Sequence, residues 1–185
     1  FPRRCVFCMG EVESKSYRVC DKCQRTLPYT GKSGCEQQLH GMNGCYSPLY
    51  YKGNVRQSIH RYKFKGVYSY CETYAKIIAK CIDECEVSCD IISWVPVSAL
   101  RYYSRGYDQA AKIAQELSGI KGIEAKQLLR KRRHNRAQSS IAKPEKRKAN
   151  VSGVYCCIDP EAVKGKCILL VDDVLTTGAT MAECA

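Results

Sequence analysis

Two sets of residues in this 185-residue chain have types and spacing that could do chemistry. The first is Ile168 to Thr180, ILLVDDVLTTGAT. Its apolar run is typical of a buried parallel strand. That strand delivers two adjacent carboxylates, Asp172 and Asp173, to its C-terminal end. A Thr-Thr-Gly turn follows, and Ala179-Thr180 opens a helix. Ligands of open α/β sheets bind at strand C-termini. The N–H groups of Leu175 to Thr180 would face a phosphate at a helix N-terminus, where the dipole favours an anion. Gly178 permits close backbone approach and an unusual φ. Thr176, Thr177 and Thr180 add hydroxyl donors, and the carboxylates can accept bonds from two vicinal hydroxyls. Together these features describe a site for a ribose 5-phosphate. The alternative is a strand–turn–helix whose acids are accidental.

The second set is Cys5-x2-Cys8, eleven residues, then Cys20-x2-Cys23. Two thiolates from each turn can close a tetrahedral site with Zn–S bonds of ~2.3 Å. All four ligands are soft sulfur, which selects zinc. Disulfides or a redox dithiol are the alternatives. A redox CxxC opens a helix beside a βαβ unit, and neither pair is expected to do so here. Four protein ligands leave no open position, so the metal is expected to be structural. Cys35 and Cys45, with His40 between them, are either remnants of a second metal site or ordinary thiols, since nine intervening residues do not make CxxC spacing. Cys81, Cys85 and Cys89 recur at i, i+4 and i+8, which reads as thiols on the buried face of a helix.

The chain carries 30 Lys+Arg against 18 Asp+Glu, a net charge of +12. Ten of the basic residues and a single acid, Glu145, fall between Ala125 and Asn150. Such a block attracts polyanions (nucleic acid, nucleotides, phosphorylated sugars) unless it is simply a solvated loop. No apolar run approaches the ~18 residues of a membrane-spanning helix. The opening residues FPRRCVFC carry no apolar signal-peptide core. A cytoplasmic protein with reduced thiols is therefore expected, despite 14 cysteines. The chain starts at Phe1 and stops at Ala185 inside what reads as a helix, which points to a fragment.

Elements must position these groups. Residues 1–45 hold six cysteines and little apolar periodicity, so a metal is expected to fold them. Residues 46–185 read as a separate α/β domain. Tyr50 to Gly53 suit a strand and turn, and Asn54 can cap a helix carrying Ile59, Tyr62 and Phe64. A second helix is expected over Tyr70 to Cys85 on the spacing of Tyr74, Ile77, Ile78, Cys81 and Cys85. Asp90 to Val95 is expected to form a buried strand. Asp108 to Leu117 reads as a helix stopped by Gly119. The basic block reads as a long loop, Val151 to Ile158 as a strand and Cys167 to Val171 as a parallel strand. Strands alternating with helices imply an α/β fold with a parallel sheet.

The thirteen residues from Ile168 to Thr180 resemble the phosphoribosyl-pyrophosphate (PRPP) motif of type I phosphoribosyltransferases. Other segments resemble the ComF/GntX family: the cysteine knuckles, Tyr51-Lys52-Gly53 with Arg56 and Ile59, and Tyr62-Lys63-Phe64-Lys65-Gly66. So do Val95-Pro96-Val97-Ser98, Arg105-Gly106-Tyr107-Asp108-Gln109-Ala110, Arg133 with Gln138, and Asn150-Val151. The resemblance spans the whole chain. It implies a bacterial protein with a small zinc ribbon (1–45) before a type I phosphoribosyltransferase fold, a parallel sheet flanked by helices (46–185). Several members of this family are linked to DNA uptake in natural transformation.

The resemblance also implies roles. Asp172 and Asp173 would be the catalytic pair that holds the ribose 2′- and 3′-hydroxyls. Val174 to Thr180 (Val174, Leu175, Thr176, Thr177, Gly178, Ala179, Thr180) would bind PRPP, with Thr176 to Thr180 around the 5′-phosphate. Val97 to Arg101, including Ser98, occupy the position of the pyrophosphate loop, and Arg101 and Arg105 would bind pyrophosphate. The basic stretch 130–149 matches the loop that closes over such sites, where Arg133 and Arg136 would reach the leaving pyrophosphate. Mg²⁺ would come with PRPP, and zinc would be held by Cys5, Cys8, Cys20 and Cys23. Two functions follow as expectations. One is a PRPP-dependent transferase with an unidentified acceptor. The other is a non-catalytic factor that binds single-stranded DNA, or a helicase or other competence protein of the uptake machinery, and has a sensory or vestigial pocket. Tyr102, Tyr103 and Tyr107 sit among Arg101 and Arg105, where they either stack on bases or pack. The family's second cysteine set is degenerate here, and its elements after the PRPP loop are missing or not shown beyond Ala185.

Overall fold

The computed structural model describes residues 3–12, 17–31, 35–132 and 152–185. The sheet that matters is a parallel pair. Strand β3 (Ile91–Trp94) lies beside β6 (Ile168–Val171) in a register that sets Ile91 against Ile168 and Trp94 against Val171. All four residues of β3 are buried, as expected of a central parallel strand. The segment around Ala125 flanks its other edge, with a parallel bridge from Ile92 to Ala125.

Helix α5 (Gln109–Lys121) packs across both strands, and α3 (Cys71–Glu84) packs against α5. Of the stripe expected on α3, Tyr74, Ile77 and Cys81 are buried, while Ile78 and Cys85 are only half-buried. Helix α5 runs past Gly119, contrary to expectation, and ends at Gly122 in the left-handed conformation (φ 66°). An interior glycine costs only ~1 kcal/mol against alanine, whereas a left-handed C-terminal residue favours glycine strongly. Helix α2 (Gly53–Phe64) starts one residue before Asn54, so Asn54 lies in its first turn and does not cap it. The strand expected near Tyr50 is absent among the described residues; an isolated bridge joins Tyr29 to Leu49 instead.

The basic block is not all loop. Leu129–Lys131 forms β4 and pairs antiparallel with β5 (Tyr155–Cys157), so long-range pairing overrides the polar local sequence. The remaining elements are short: α1 (Asp21–Thr26), the β1–β2 hairpin (Glu36–Gln37 with Cys45–Tyr46), α4 (Ala99–Arg105), α6 (Pro160–Val163) and α7 (Ala179–Cys184). Helix α4 was not foreseen. Ser98 caps it by accepting from the Arg101 N–H, and Gly106 ends it at φ 80°.

The N-terminal cysteine segment has no core of its own and borrows one. Val6 and Phe7 are fully buried in the same cluster as Val55, Ile59, Tyr62 and Tyr74. Ser58 Oγ donates to Val6 O at 2.7 Å. Arg61 Nη2 donates to Val6 O at 2.9 Å and to Phe7 O at 2.8 Å. The Phe7 ring meets Tyr74 edge-on, with centroids 6.3 Å apart. Replacing Phe7 by alanine is expected to cost ~3–5 kcal/mol, the range for a buried phenylalanine, measured by denaturant unfolding. A loss under ~1 kcal/mol would show that the segment is not part of the folding core.

Candidate functional site

Strands β3 and β6 run parallel, so their C-terminal ends open on the same side. Val95 N–H still bonds to Val171 O at 3.0 Å, and this carries the register into the two loops that follow. One loop holds Val97 and Ser98. The other holds Asp172, Asp173 and the Thr-Thr-Gly turn. Asp108, the N-cap of α5, ties the first loop down: its carboxylate accepts from Val97 N at 2.9 Å and Ala111 N at 3.1 Å. Burial pushes the Asp108 carboxyl up despite these bonds.

The two acids behave differently. Asp173 forms an ion pair with Lys63 Nζ of α2 at 2.8 Å. Asp172 Oδ1 accepts the Asp173 N–H at 2.8 Å. Burial first, and the Asp173 charge second, push the Asp172 carboxyl up to about 7, with Lys63 acting in the opposite direction. Arg105 lies in the field of Asp173, donates to Gln109 Oε1 at 2.7 Å and stacks over Phe64. Burial lowers the Arg105 pKa. Lys131 of β4 rests over the Tyr155 ring, near Arg101 and Asp172; burial and then Arg101 bring its ammonium down to about 8. Cys45 and Cys184 sit close enough to Asp172 for its charge to add to the burial that raises their thiols.

Gly178 has φ 71° and precedes α7. A Cβ there would meet the Leu39 side chain, with Cδ2 2.5 Å away, and the positive φ itself disfavours any residue but glycine. Thr176 and Thr177 are exposed, while Val174 packs against the core. Thr177 Oγ1 accepts from Ala179 N at 3.5 Å. The structure thus gathers Asp172, Asp173, Val97, Ser98, Arg101 and Arg105 round one end of the parallel pair, with the 174–180 loop beside them. Arg133 and Arg136, with Gln138, Asn150 and Val151, lie outside the described residues. A cavity of about 720 Å³ borders Asp172, Asp173, Val174 and Leu175 but spreads over the apolar face of β6 and α3. Among its described lining residues are neither Thr176 to Thr180 nor the two arginines.

Lys63 and Lys131 went unassigned in the sequence. Lys63 stood in a quoted motif without a role, and a lysine one residue after a core tyrosine on a helix gives no local sign of an acid partner 110 residues away. Of the three tyrosines weighed as stacking platforms, Tyr107 packs in the core at 6 % exposure and its hydroxyl donates to Tyr62 O. Tyr102 and Tyr103 are exposed, Tyr103 at 83 %.

The four N-terminal cysteines converge. The sulfur atoms of Cys5, Cys8, Cys20 and Cys23 all lie within 4.8 Å of one another, a set that could hold one metal ion and suits zinc. Burial raises the Cys5 thiol, but N–H groups of Cys8, Cys20 and Phe7 outweigh it and bring it down to about 7. Burial and the neighbouring sulfurs push Cys23 up, since clustered thiolates repel without a cation between them. Contrary to expectation, the second knuckle does open a helix: Cys20 is the N-cap of α1 and Cys23 lies in its first turn. Helical geometry brings Cys23 back towards Cys20.

Two curated proteins share this chain's sequence over nearly its whole length. It is 24 % identical to Competence protein F of Haemophilus influenzae over 205 residues, covering 99 % of this chain and 89 % of that one. It is 26 % identical to Competence protein ComFC of Streptococcus pneumoniae over 179 residues, covering 96 % of this chain and 77 % of that one. The chain is thus similar to the ComF competence proteins along nearly its whole length. No family model matches it, and no solved structure matches it significantly. Among the described residues, no helix is long and apolar enough to cross a membrane.

The raised carboxyl has a sign that can be tested. Asp172 titrates near 7 in the fold against ~3.9 in the unfolded chain. Between these values the folded state holds more protons, so stability falls as pH rises through the window. Asp172→Asn is therefore expected to melt above the parent protein at pH 8, with the gap narrowing towards pH 5. Equal offsets at both pH values would show that Asp172 titrates normally.

Proposed function

We propose that this protein binds PRPP with Mg²⁺ at the C-terminal end of its parallel strands and acts in DNA uptake during competence. The single observation that carries the pocket is the acid pair directly after β6, followed by a turn whose Gly178 has positive φ, with Arg105 in the field of Asp173. Lys63 pairs with one oxygen of Asp173, and the other oxygen is suited to a ribose hydroxyl. Mg²⁺, a hard cation that keeps several waters, would be held by pyrophosphate oxygens with Asp172 and Asp173 reached through water. It would neutralise the leaving group when a phosphoribosyl unit is transferred. Arg101, Arg105, Arg133 and Arg136 would supply forked donors for phosphate oxygens. On this reading residues 46–185 form a type I phosphoribosyltransferase domain in the cytoplasm. Residues 1–45 are then a zinc ribbon with structural Zn²⁺ on Cys5, Cys8, Cys20 and Cys23. The uptake role is supported by the two relatives, both named competence proteins.

A second reading rests on Tyr102 and Tyr103. Both are exposed on the same short helix as Arg101, an arrangement that suits stacking on single-stranded DNA.

Calorimetric titration of PRPP in Mg²⁺ buffer tests the first reading. The parent protein is expected to bind, and Asp172→Ala with Asp173→Ala is expected to weaken binding about 100-fold or more while circular dichroism stays unchanged. Two lost charge-assisted bonds are worth ~3–6 kcal/mol. Equal binding by the double variant would remove the ribose assignment. No binding by a folded, metal-loaded protein would remove the pocket. Binding of single-stranded DNA that falls steeply with salt and is weakened by Tyr103→Ala would then support the second reading.

A further inference from the structure

Three cysteines outside the zinc knuckles meet in space. Cys81 and Cys85 stand at i and i+4 at the C-terminal end of α3, where such pairs share one face. Cys35 arrives from the opposite direction, one residue before β1. Its sulfur and theirs all lie within 4.8 Å of one another, and Cys35 Sγ is 3.1 Å from Cys85 Sγ. Cys35 and Cys81 are buried and Cys85 is half-buried. The knuckle cluster has the same spacing, with Cys8 Sγ 3.5 Å from Cys20 Sγ. Sulfurs sharing one tetrahedral ion at ~2.3 Å stand ~3.8 Å apart, a value within the spread of both clusters.

The pattern differs from the one the sequence suggested. Cys45 does not join Cys35; it lies near Asp172. Cys89 continues the i+4 series but is not in the cluster. Two residues of an apolar helix face and one hairpin residue, 46 and 50 positions away, converge instead. Thiols that only fill space have no reason to converge from three positions. A disulfide would use two of them and leave the third.

We propose that Cys35, Cys81 and Cys85 form a second metal site that takes a thiophilic d¹⁰ cation, Zn²⁺ or Cu⁺. Three thiolates select a soft ion. Cu⁺ is satisfied by three, and Zn²⁺ would add a water or small anion as its fourth ligand. The site fastens the β1–β2 hairpin to α3. Leu39 in that hairpin rests on Gly178, so the same ion fixes what lies over the 174–180 loop. The metal site itself does not depend on the PRPP reading.

The test is metal stoichiometry on the full chain. Protein purified under reductant is loaded separately with Zn²⁺ and with Cu⁺, desalted and measured by elemental analysis. With the ion that fills the second site, two ions per chain are expected. One is expected for Cys35→Ser, Cys81→Ser or Cys85→Ser, one for Cys5→Ser, and two for the control Cys89→Ser. Cys85 is the least buried of the three, so C85S guards against misfolding of C81S. Co²⁺ loading adds a second readout: C85S should lower the thiolate-to-cobalt absorption while the knuckle signal persists. A single ion of either metal in the parent protein, unchanged in all three variants, overturns the proposal. So does a Cys35–Cys85 disulfide in the alkylation map of the reduced, metal-loaded chain.

Discussion

Two adjacent carboxylates at a half-buried strand end repel each other and lose hydration, and the surrounding elements answer that demand. Lys63 comes from α2, Arg101 and Arg105 from α4, and Lys131 from β4, so three separate elements bring cations to one strand end. The compensation is uneven. Asp173 holds the lysine, while Asp172 is left with a raised carboxyl. A carboxyl raised in this way can release its proton in answer to an incoming cation. The cost of this arrangement is borne by the α/β frame, whose register from Ile91 against Ile168 to Trp94 against Val171 fixes where the acids emerge.

Helix α2 links the site to the cysteine knuckle. Within one turn and a half it uses Ser58 and Arg61 to take the carbonyls of Val6 and Phe7, Tyr62 to reach Gln109 O at 2.8 Å, and Lys63 to meet Asp173. Those two carbonyls belong to the turn between Cys5 and Cys8, so the geometry of the knuckle and the position of Lys63 are set by the same helix. Gln109 in turn accepts from Arg105. A buried chain of polar groups therefore runs from the first cysteine turn to the arginine beside the acids. Such networks specify one arrangement because each unsatisfied member is costly.

What could be read in the sequence was local. The acid pair with TTGAT and the two CxxC turns carry their meaning within a few residues, and the structure brings both sets together. The apolar stripe of α3 and the parallel strands were legible for the same reason, through periodicity and run length. Cations and thiols were not. Lys63 meets an acid 110 positions away, and Cys35 meets Cys81 and Cys85 across 46 and 50. No local spacing encodes those pairings. Helix ends are harder to read for a different reason: Gly119, a weak helix former, is tolerated inside α5, and the left-handed position that ends the helix is Gly122. Polar Leu129–Lys131 became a strand only because Tyr155–Cys157 pairs with it.

The hairpin between β1 and β2 is where these long-range constraints meet. One of its ends is at Cys35, beside the two α3 thiols. Its tip region puts Leu39 on Gly178, and its return strand begins at Cys45, within the field of Asp172. Two residues of β-pairing are far too few to hold such a hairpin in water. Its position must come from tertiary contacts at its ends. The leucine on Gly178 supplies one, and the sulfur cluster supplies the other. Tightening either contact narrows the freedom of the glycine turn, because Leu39 lies against Gly178. The loop beside the acid pair is therefore set from two directions, by β6 through the backbone and by the hairpin through packing.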